Sequence, residues 1–121
     1  MNKVILVIED QEDNRRIMRD LLTSVGFQVM EAVTGEDGVR AAEFHKPDLI
    51  LMDIQLPDFD GYEATRRIKA KPDLESIPII AVTSYALSGD DKKAFEAGCD
   101  AYVSKPFSPR ALLAKIREIL A

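Results

Sequence analysis

Five short apolar runs, each followed by a stretch with helical periodicity, constrain the fold of this chain more than any other feature. The first run, VILVI, is β-branched and has no polar alternation, which is typical of a strand buried on both faces. Five strand–helix units predict an α/β fold, a doubly wound (βα)5 arrangement in which helices cover both faces of a five-stranded parallel sheet. The runs are VILVI (4–8), the weaker QVMEA (28–32), LILM (49–52), IIAVT (79–83) and AYVS (101–104).

The stretches between the runs predict helices at 14–25, 34–45, 62–70 and 88–97, and a last one from Pro109 onward. Thr34 and Ser108 are N-cap candidates, because a side-chain oxygen at that position accepts from the first free amides of the helix. Helical spacing assigns several apolar side chains to the core. They are Ile17, Leu21, Leu22 and Val25; Val39, Ala42 and Phe44; Ala94, Phe95 and Ala97; Leu112, Leu113, Ile116, Ile119 and Leu120; and, outside the helices, Phe27, Met30 and Cys99.

Length and composition indicate one globular domain over residues 1–121. No linker, repeat or low-complexity tract divides the 121 residues, and 46% apolar with 31% charged residues is typical of a soluble protein with a real core. The formal net charge of -5 argues against nucleic acid or an anionic membrane as the main partner.

Several kinds of segment and site are not expected. The apolar runs are too short to cross a bilayer, and the N-terminus lacks the small-residue cleavage pattern of a secretory signal. Cys99 is the only cysteine, so no intrachain disulfide can form, which fits a reducing cytoplasm. His45 is the only histidine, which excludes a multi-histidine metal site and leaves a solvated helix-end residue as its simplest interpretation.

Polar residues follow four of the predicted strands, at the edge where open α/β sheets bind ligands. Glu9 and Asp10 follow the first strand, Asp53 the third, Thr83 ends the fourth and Lys105 follows the fifth. Three converging carboxylates oppose folding, since each like-charged pair costs roughly 4 kcal/mol at about 4 Å and an effective dielectric of about 20. Lys105 offsets only part of this repulsion. The pattern therefore predicts a divalent cation with oxygen ligands, which suits Mg²⁺.

These motifs also resemble a known family. Glu9-Asp10, Asp53, Thr83-Ser84 and Lys105-Pro106, each at a strand end, are similar to the receiver domain of two-component response regulators. The resemblance covers essentially the whole chain and is greatest to single-domain regulators without an output domain. It implies the flavodoxin-like receiver fold.

The resemblance implies a role for each acidic residue. Asp53 would be the phosphoacceptor, receiving a phosphoryl group from a phosphohistidine on a histidine kinase or histidine phosphotransfer protein. Asp10, Asp53 and the backbone carbonyl of Gln55 would ligate Mg²⁺. Glu9, where the family more often has Asp, would complete the acidic pocket through metal-bound water.

The resemblance also implies how a signal leaves the site. Thr83 would hydrogen-bond one phosphoryl oxygen, Lys105 would pair with another, and the bond from Lys105 to Pro106 would be cis. Tyr102 would change rotamer, so that the surface of the fourth helix, fifth strand and fifth helix binds a downstream protein differently in the two states. Gln55 and Tyr85 are expected to tune the rate of phosphoryl loss, with Tyr85 hindering water. A monomer or a weak homodimer is expected.

The residues leave three other functions to consider. A flavin-binding electron carrier needs a phosphate-cradling loop after the first strand, and this chain has EDQEDN there, which would repel phosphate. An aspartate-nucleophile phosphohydrolase commonly has a second acid two residues after the nucleophile, where this chain has Gln55. A degenerate, phosphate-independent receiver would lack one of the acids or the lysine, and none is lacking.

Overall fold

The computed structural model describes residues 2–83, 90–105 and 108–121, with the backbone alone at residues 90 and 91. The five predicted strands are confirmed, and the third extends one residue further than LILM, so that Asp53 is its last residue. The strands are β1 (Val4–Ile8), β2 (Gln28–Ala32), β3 (Leu49–Asp53), β4 (Ile79–Thr83) and β5 (Ala101–Ser104), and the helices are α1 (Glu12–Ser24), α2 (Gly35–His45), α3 (Gly61–Lys69), α4 (Asp90–Ala97) and α5 (Pro109–Leu120).

All five strands form one parallel sheet in the order β2-β1-β3-β4-β5. The chain moves outward from β1 to β2, returns past β1 to β3, and then continues outward to β5. The direction of winding therefore reverses between β1 and β3, and the carboxyl ends of these neighbours border the crevice where ligands bind in such sheets. The predicted doubly wound parallel sheet is confirmed.

Two hydrophobic layers cover the sheet, because alternate residues of each strand point to opposite faces. Leu6 and Ile8 of β1 face the layer that α2, α3 and α4 cover, and Ile5 and Val7 face the layer that α1 and α5 cover. Helix residues buried in the first layer are Val39, Ala42, Ala64, Ile68 and Ala94, and those in the second are Met18, Leu22, Leu112 and Ile116.

The predicted inward face of α1 is partly wrong. Met18 and Leu22 are buried, whereas Ile17 is 54% exposed, since one residue along a helix rotates the side chain by about 100°. Leu21 is half-buried against the same layer. Val25 is exposed because the helix ends at Ser24.

Two predicted core phenylalanines are also wrong. Phe44 is 83% exposed, because it lies two residues, or about 200° of rotation, beyond the buried Ala42. Phe95 is exposed beside Ala94, while Ala94 and Ala97 are buried as predicted. In both helices the small residues face the sheet and the aromatic ring does not.

The other core predictions are confirmed in full or in part. Cys99, Leu112 and Ile116 are buried. Half-buried side chains border the same layers, among them Phe27, Met30, Leu113, Ile119 and Leu120.

The predicted caps of two helices are confirmed. Thr34 Oγ1 accepts from the amide of Asp37 at 3.0 Å, and Ser108 Oγ accepts from the amide of Ala111 at 3.4 Å. Helix α1 begins two residues before the predicted Asn14, with acidic residues in its first turn. In the described part of the chain, no helix has the length and apolarity that a membrane span requires.

Candidate functional site

Three carboxylates meet at the carboxyl end of the sheet. Glu9 follows β1 directly and Asp53 ends β3, and the pairing of Ile8 with Met52 brings these two strand ends side by side. One carboxylate oxygen from each of Glu9, Asp10 and Asp53 lies within 4.8 Å of the others. Glu9 is 1% exposed and Asp53 5% exposed, while Asp10 is more exposed than either. The convergence predicted from the strand ends is present.

Lys105 reaches the same cluster from the other side of β4. Its Nζ donates to Glu9 Oε1 at 2.7 Å and lies 3.6 Å from Asp53 Oδ1. Its backbone amide donates to the carbonyl of Thr83 at 2.6 Å, which holds the residue beyond the end of β5 against β4. The ammonium group thus contacts Glu9 more closely than Asp53.

Burial and the neighbouring acid raise the pKa of Asp53 to about 7. Loss of solvent is the largest cause, the hydrogen bond and negative charge of Glu9 act in the same direction, and Lys105 opposes them. For Glu9, burial also opposes ionisation, but hydrogen bonds from Asp53 and Lys105 outweigh it and lower the pKa. Without a metal, Asp53 therefore keeps its proton at pH values up to about 7 where an ordinary aspartate is ionised, while Glu9 loses its proton more readily than usual.

The donor set fits a hard dication. Among the described residues, Lys105 is the single cation within ion-pair distance of Glu9 and Asp53, so three ionised carboxylates would retain an excess of negative charge. An ion such as Mg²⁺ prefers oxygen ligands and keeps several waters. The side of the cluster at Asp10, the most exposed of the three acids, can accommodate these waters. The cluster could hold such an ion through Asp10 and Asp53.

The chain after Asp53 turns sharply back onto the strand. The amide of Gln55 donates to Asp53 Oδ1 at 3.4 Å, and the amide of Gly61 donates to the carbonyl of Ile54 at 2.8 Å. A Cβ at Gly61 would lie 2.3 Å from the Asp53 carbonyl oxygen, so only glycine allows this approach. Asp60 then caps α3 through the amide of Glu63 at 2.8 Å.

The same loop is attached to α2. The two carboxylate oxygens of Asp58 accept from the amides of Gly35 and Glu36 at 2.8 and 2.9 Å. The ring of Phe59 fills the space where a side chain at Gly35 would lie, and the guanidinium of Arg67 lies 3.9 Å from its centroid. This anchoring fixes the loop between β3 and α3 at its middle.

Thr83 and Tyr102 lie on neighbouring strands. Thr83 is buried at the end of β4, where Asp53 pairs with Val82 and Thr83 pairs with Ser104. Tyr102 pairs with Ala81, is half-buried and packs against the layer that includes α4. Its side chain therefore lies on the face of the sheet that α4 helps to cover.

Some predicted residues do not join the cluster or cannot be placed. His45 ends α2, is exposed and stacks edge-on with Phe44, away from the carboxylates. Tyr85, Ser84 and Pro106 lie outside the described residues, and so does the bond from Lys105 to Pro106.

Two residues at the site escape sequence-based reasoning. Asp58 is one of several acids in a polar loop, and nothing in its spacing indicates that it binds α2. Arg15 in α1 donates to the carbonyls of Glu9 and Asp10. The only sequence signal for Arg15 is a cation one turn into a helix that follows an acidic loop. The same helix contains three arginines, so this signal does not single out Arg15.

The fold and the site together define a class of protein: a doubly wound parallel sheet whose carboxyl edge presents a buried aspartate among further acids and a lysine. The model of the response regulator receiver domain matches residues 5–117. The chain belongs to the receiver domain family of two-component systems, whose members act in phosphoryl-transfer signalling with histidine kinases and downstream targets.

Three relatives illustrate the similarity. The polar-differentiation response regulator DivK of Brucella ovis is 40% identical over 120 residues, covering 99% of this chain and 98% of that protein. The receiver domain of sensor histidine kinase PA1611 from Pseudomonas aeruginosa PAO1, solved with magnesium coordinated in its active-site cleft, is 38% identical with a TM-score of 0.92 and covers 99% and 98% of the two chains. A CheY-like receiver domain protein from Methanospirillum hungatei JF-1 is 35% identical with a TM-score of 0.90, covering 99% and 94%.

Proposed function

We propose that this protein is a phosphorylation-dependent signalling switch in which Asp53 accepts a phosphoryl group. A histidine kinase or a histidine phosphotransfer protein would supply the group from a phosphohistidine. The observation that carries the proposal is the position of Asp53, a buried carboxylate at the end of a central strand with Glu9 and Lys105 beside it. A rigid strand holds the nucleophile still, and the crevice beside β1 admits the donor.

Asp10, Asp53 and the backbone carbonyl of Gln55 would hold Mg²⁺, and Glu9 would contact it through water. When bound, the ion neutralises the repulsion between the carboxylates and the incoming phosphoryl oxygens. The carboxylate cluster supports this assignment, as does the magnesium in the Pseudomonas receiver domain. A dication also favours the ionised form of Asp53, whose pKa is otherwise raised to about 7.

The transfer itself is a displacement at phosphorus. A carboxylate oxygen of Asp53 forms the new P–O bond while the P–N bond of the donor breaks. The electron pair of the broken bond stays on the imidazole nitrogen, which takes up a proton. Lys105 is 3.6 Å from Asp53 Oδ1 and would move from Glu9 to a phosphoryl oxygen, while Thr83 would donate its hydroxyl to another.

The phosphoryl group must then bias a surface that a partner reads. Shifting a two-state equilibrium from 1:99 to 99:1 needs about 5.5 kcal/mol, more than one charge-assisted hydrogen bond of about 1.5–3 kcal/mol supplies. Thr83 and Lys105 would act together, and Tyr102 would follow them. The surface of α4, β5 and α5 would then bind a downstream protein with different affinity in the two states.

The wider assignment follows the same relatives. The match to DivK covers 98% of that protein, which supports a receiver domain along the whole of the given chain. We infer that the protein acts in the cytoplasm as a monomer or weak homodimer, since its lone Cys99 can form no intrachain disulfide and fits a reducing compartment. Gln55 and Tyr85 remain the candidates for tuning phosphoryl lifetime.

Acetyl phosphate and Mg²⁺ test the central assignment. Incubation followed by intact-protein mass spectrometry should show one added phosphoryl group on the wild type and none on Asp53→Asn. Asp20→Asn, which changes an exposed acid on α1, is the matched control and should be modified like the wild type. Unchanged modification of Asp53→Asn would exclude Asp53 as the acceptor.

A further inference from the structure

Arg15 connects three parts of the molecule near the site. It lies in the first half of α1 with its side chain only 18% exposed. Its Nη1 donates to the backbone carbonyl of Glu9 at 3.1 Å and to that of Asp10 at 3.4 Å. Its Nε donates to the carboxylate of Glu31 on β2 at 3.1 Å. One guanidinium thus joins the acidic loop to the neighbouring strand.

We propose that Arg15, oriented by Glu31, is a positioning residue that holds the Glu9 and Asp10 backbone in the geometry required for a divalent cation. This inference depends on the proposed function, because it concerns the metal site of the same switch. Arg15 contacts neither carboxylate side chain. It acts on the carbonyls, which set the direction in which the two acidic side chains leave the chain.

The geometry of the guanidinium makes this role specific to arginine. Its donors lie in one rigid plane, so Nε can bind Glu31 while Nη1 binds the two carbonyls. A lysine ammonium has the same charge but lacks this planar fork, so it cannot hold both partners in the same directions. Groups that orient metal ligands typically change metal affinity by 10–100-fold when they are removed.

Charge alone does not account for the arrangement. The Glu31 carboxylate accepts from Arg15, and it also accepts from Arg19 Nη1 at 3.1 Å. Both guanidinium groups therefore pair with the same carboxylate. Arg19 has the same partner but no hydrogen bond to the acidic loop among the described residues. The two arginines therefore form a matched pair for an experiment.

The experiment compares Arg15→Lys with Arg19→Lys in the full chain. Both variants keep the net charge and both lose a guanidinium contact with Glu31, but only the first loses the fork on the carbonyls of Glu9 and Asp10. Isothermal titration with MgCl₂ should show roughly tenfold weaker binding for Arg15→Lys and less than about twofold change for Arg19→Lys. If Arg15→Lys does not fold, Arg15→Gln is compared with Arg19→Gln, so that both variants lose the same positive charge.

A second measurement needs no metal. Without Mg²⁺, hydrogen exchange at the backbone amides of Asp10 and Gln11 should accelerate in Arg15→Lys and stay at the wild-type rate in Arg19→Lys. Unchanged exchange in Arg15→Lys would overturn the inference.

The titration separates this inference from the proposed function. Mg²⁺ affinities within twofold of the wild type in both variants, or equal weakening in both, would overturn the role of Arg15 and leave the metal site standing. A wild-type protein that does not bind Mg²⁺ would overturn the metal site, and with it the role of Arg15.

Discussion

Asp53 occupies a position that favours its neutral form until a cation arrives. Its neighbour Glu9 is equally buried and takes the close contact with Lys105, at 2.7 Å against 3.6 Å for Asp53. Two adjacent acids with unequal access to one cation divide their protons unequally, so Asp53 retains the proton and Glu9 loses it. A cation that binds here must displace that proton, which ties metal binding to pH.

The raised pKa of Asp53 predicts how stability changes with pH in the absence of metal. Between the ordinary value of 3.8 and about 7 the folded protein holds a proton that the unfolded chain has lost. Stability therefore falls as pH rises through this window and is lowest above it. Asp53→Asn removes the titration, and we expect it to stabilise the protein at pH 8 by about 1–2 kcal/mol, a value reduced for solvent screening.

Urea denaturation in EDTA at pH 5 and pH 8 measures this effect. The difference between Asp53→Asn and the wild type should shrink at pH 5, where Asp53 of the folded protein is neutral like the asparagine that replaces it. Asp20→Asn changes an exposed acid and should show no such pH-dependent gain. A wild type more stable than Asp53→Asn at pH 8 would contradict the prediction.

At the scale of elements, strands are easier to predict here than helix faces. All residues of β3 and β4 are buried, so their apolar runs are unambiguous in the sequence. Two helices bury small residues beside an exposed ring: α2 buries Ala42 while Phe44 is exposed, and α4 buries Ala94 and Ala97 while Phe95 is exposed. Hydrophobicity alone ranks a phenylalanine above an alanine. The inward faces predicted for these two helices therefore included the phenylalanines, which are exposed.

The site residues also divide into those that the sequence predicts and those that it does not. The acids at strand ends are predictable, because the parallel sheet brings every carboxyl end to one edge. The hydrogen bonds of Asp58 to α2 and of Arg15 to the acidic loop depend on where helices lie, and sequence spacing does not encode that. The preference of Lys105 for Glu9 over Asp53 also depends on side-chain distances.

The junction between β3 and α3 depends on Gly61. An added Cβ would lie 2.3 Å from the Asp53 carbonyl oxygen and 2.8 Å from Ile54 Cα, both backbone atoms that no rotamer change can move. We expect Gly61→Ala to destabilise the protein by about 1–3 kcal/mol, since overpacking forces the backbone to shift.

Chemical denaturation measures that loss, with Arg66→Ala as the control on the exposed side of the same helix. The control should stay within about 0.5 kcal/mol of the wild type. Equal stability of Gly61→Ala and the wild type would show that the junction has more room than the structure indicates.

At the scale of the whole molecule, the site lies between two unequal halves of the sheet. Glu9 follows β1 and Glu31 lies on β2, whereas Thr83 ends β4 and Lys105 follows β5. The central strand of the sheet is β3, and all five of its residues are buried. Which half responds to a phosphoryl group depends on the contacts that this group makes.

We expect the response to travel toward β5 and not toward β2. Thr83 and Lys105, the two predicted phosphoryl contacts, belong to the β4 and β5 half, and Lys105 must leave Glu9 to reach a phosphoryl oxygen. Hydrogen exchange should therefore show that Mg²⁺ alone protects the segments around Asp10 and Asp53. Fluoroberyllate with Mg²⁺ should extend protection to β5 and α4 while β2 keeps its exchange rates.

The variant Thr83→Ala tests whether the response is confined to β4, β5 and α4 or extends over the whole sheet. Without the hydroxyl, the variant should keep the protection that Mg²⁺ gives near Asp10, because Thr83 is not a predicted ligand of the ion. The added protection of α4 should weaken, since one of the two contacts that bias β4 and β5 is gone. Equal protection of β2 and α4 in the wild type would mean that the phosphoryl mimic tightens the whole sheet, and the surface of α4, β5 and α5 would lose its special role in signalling.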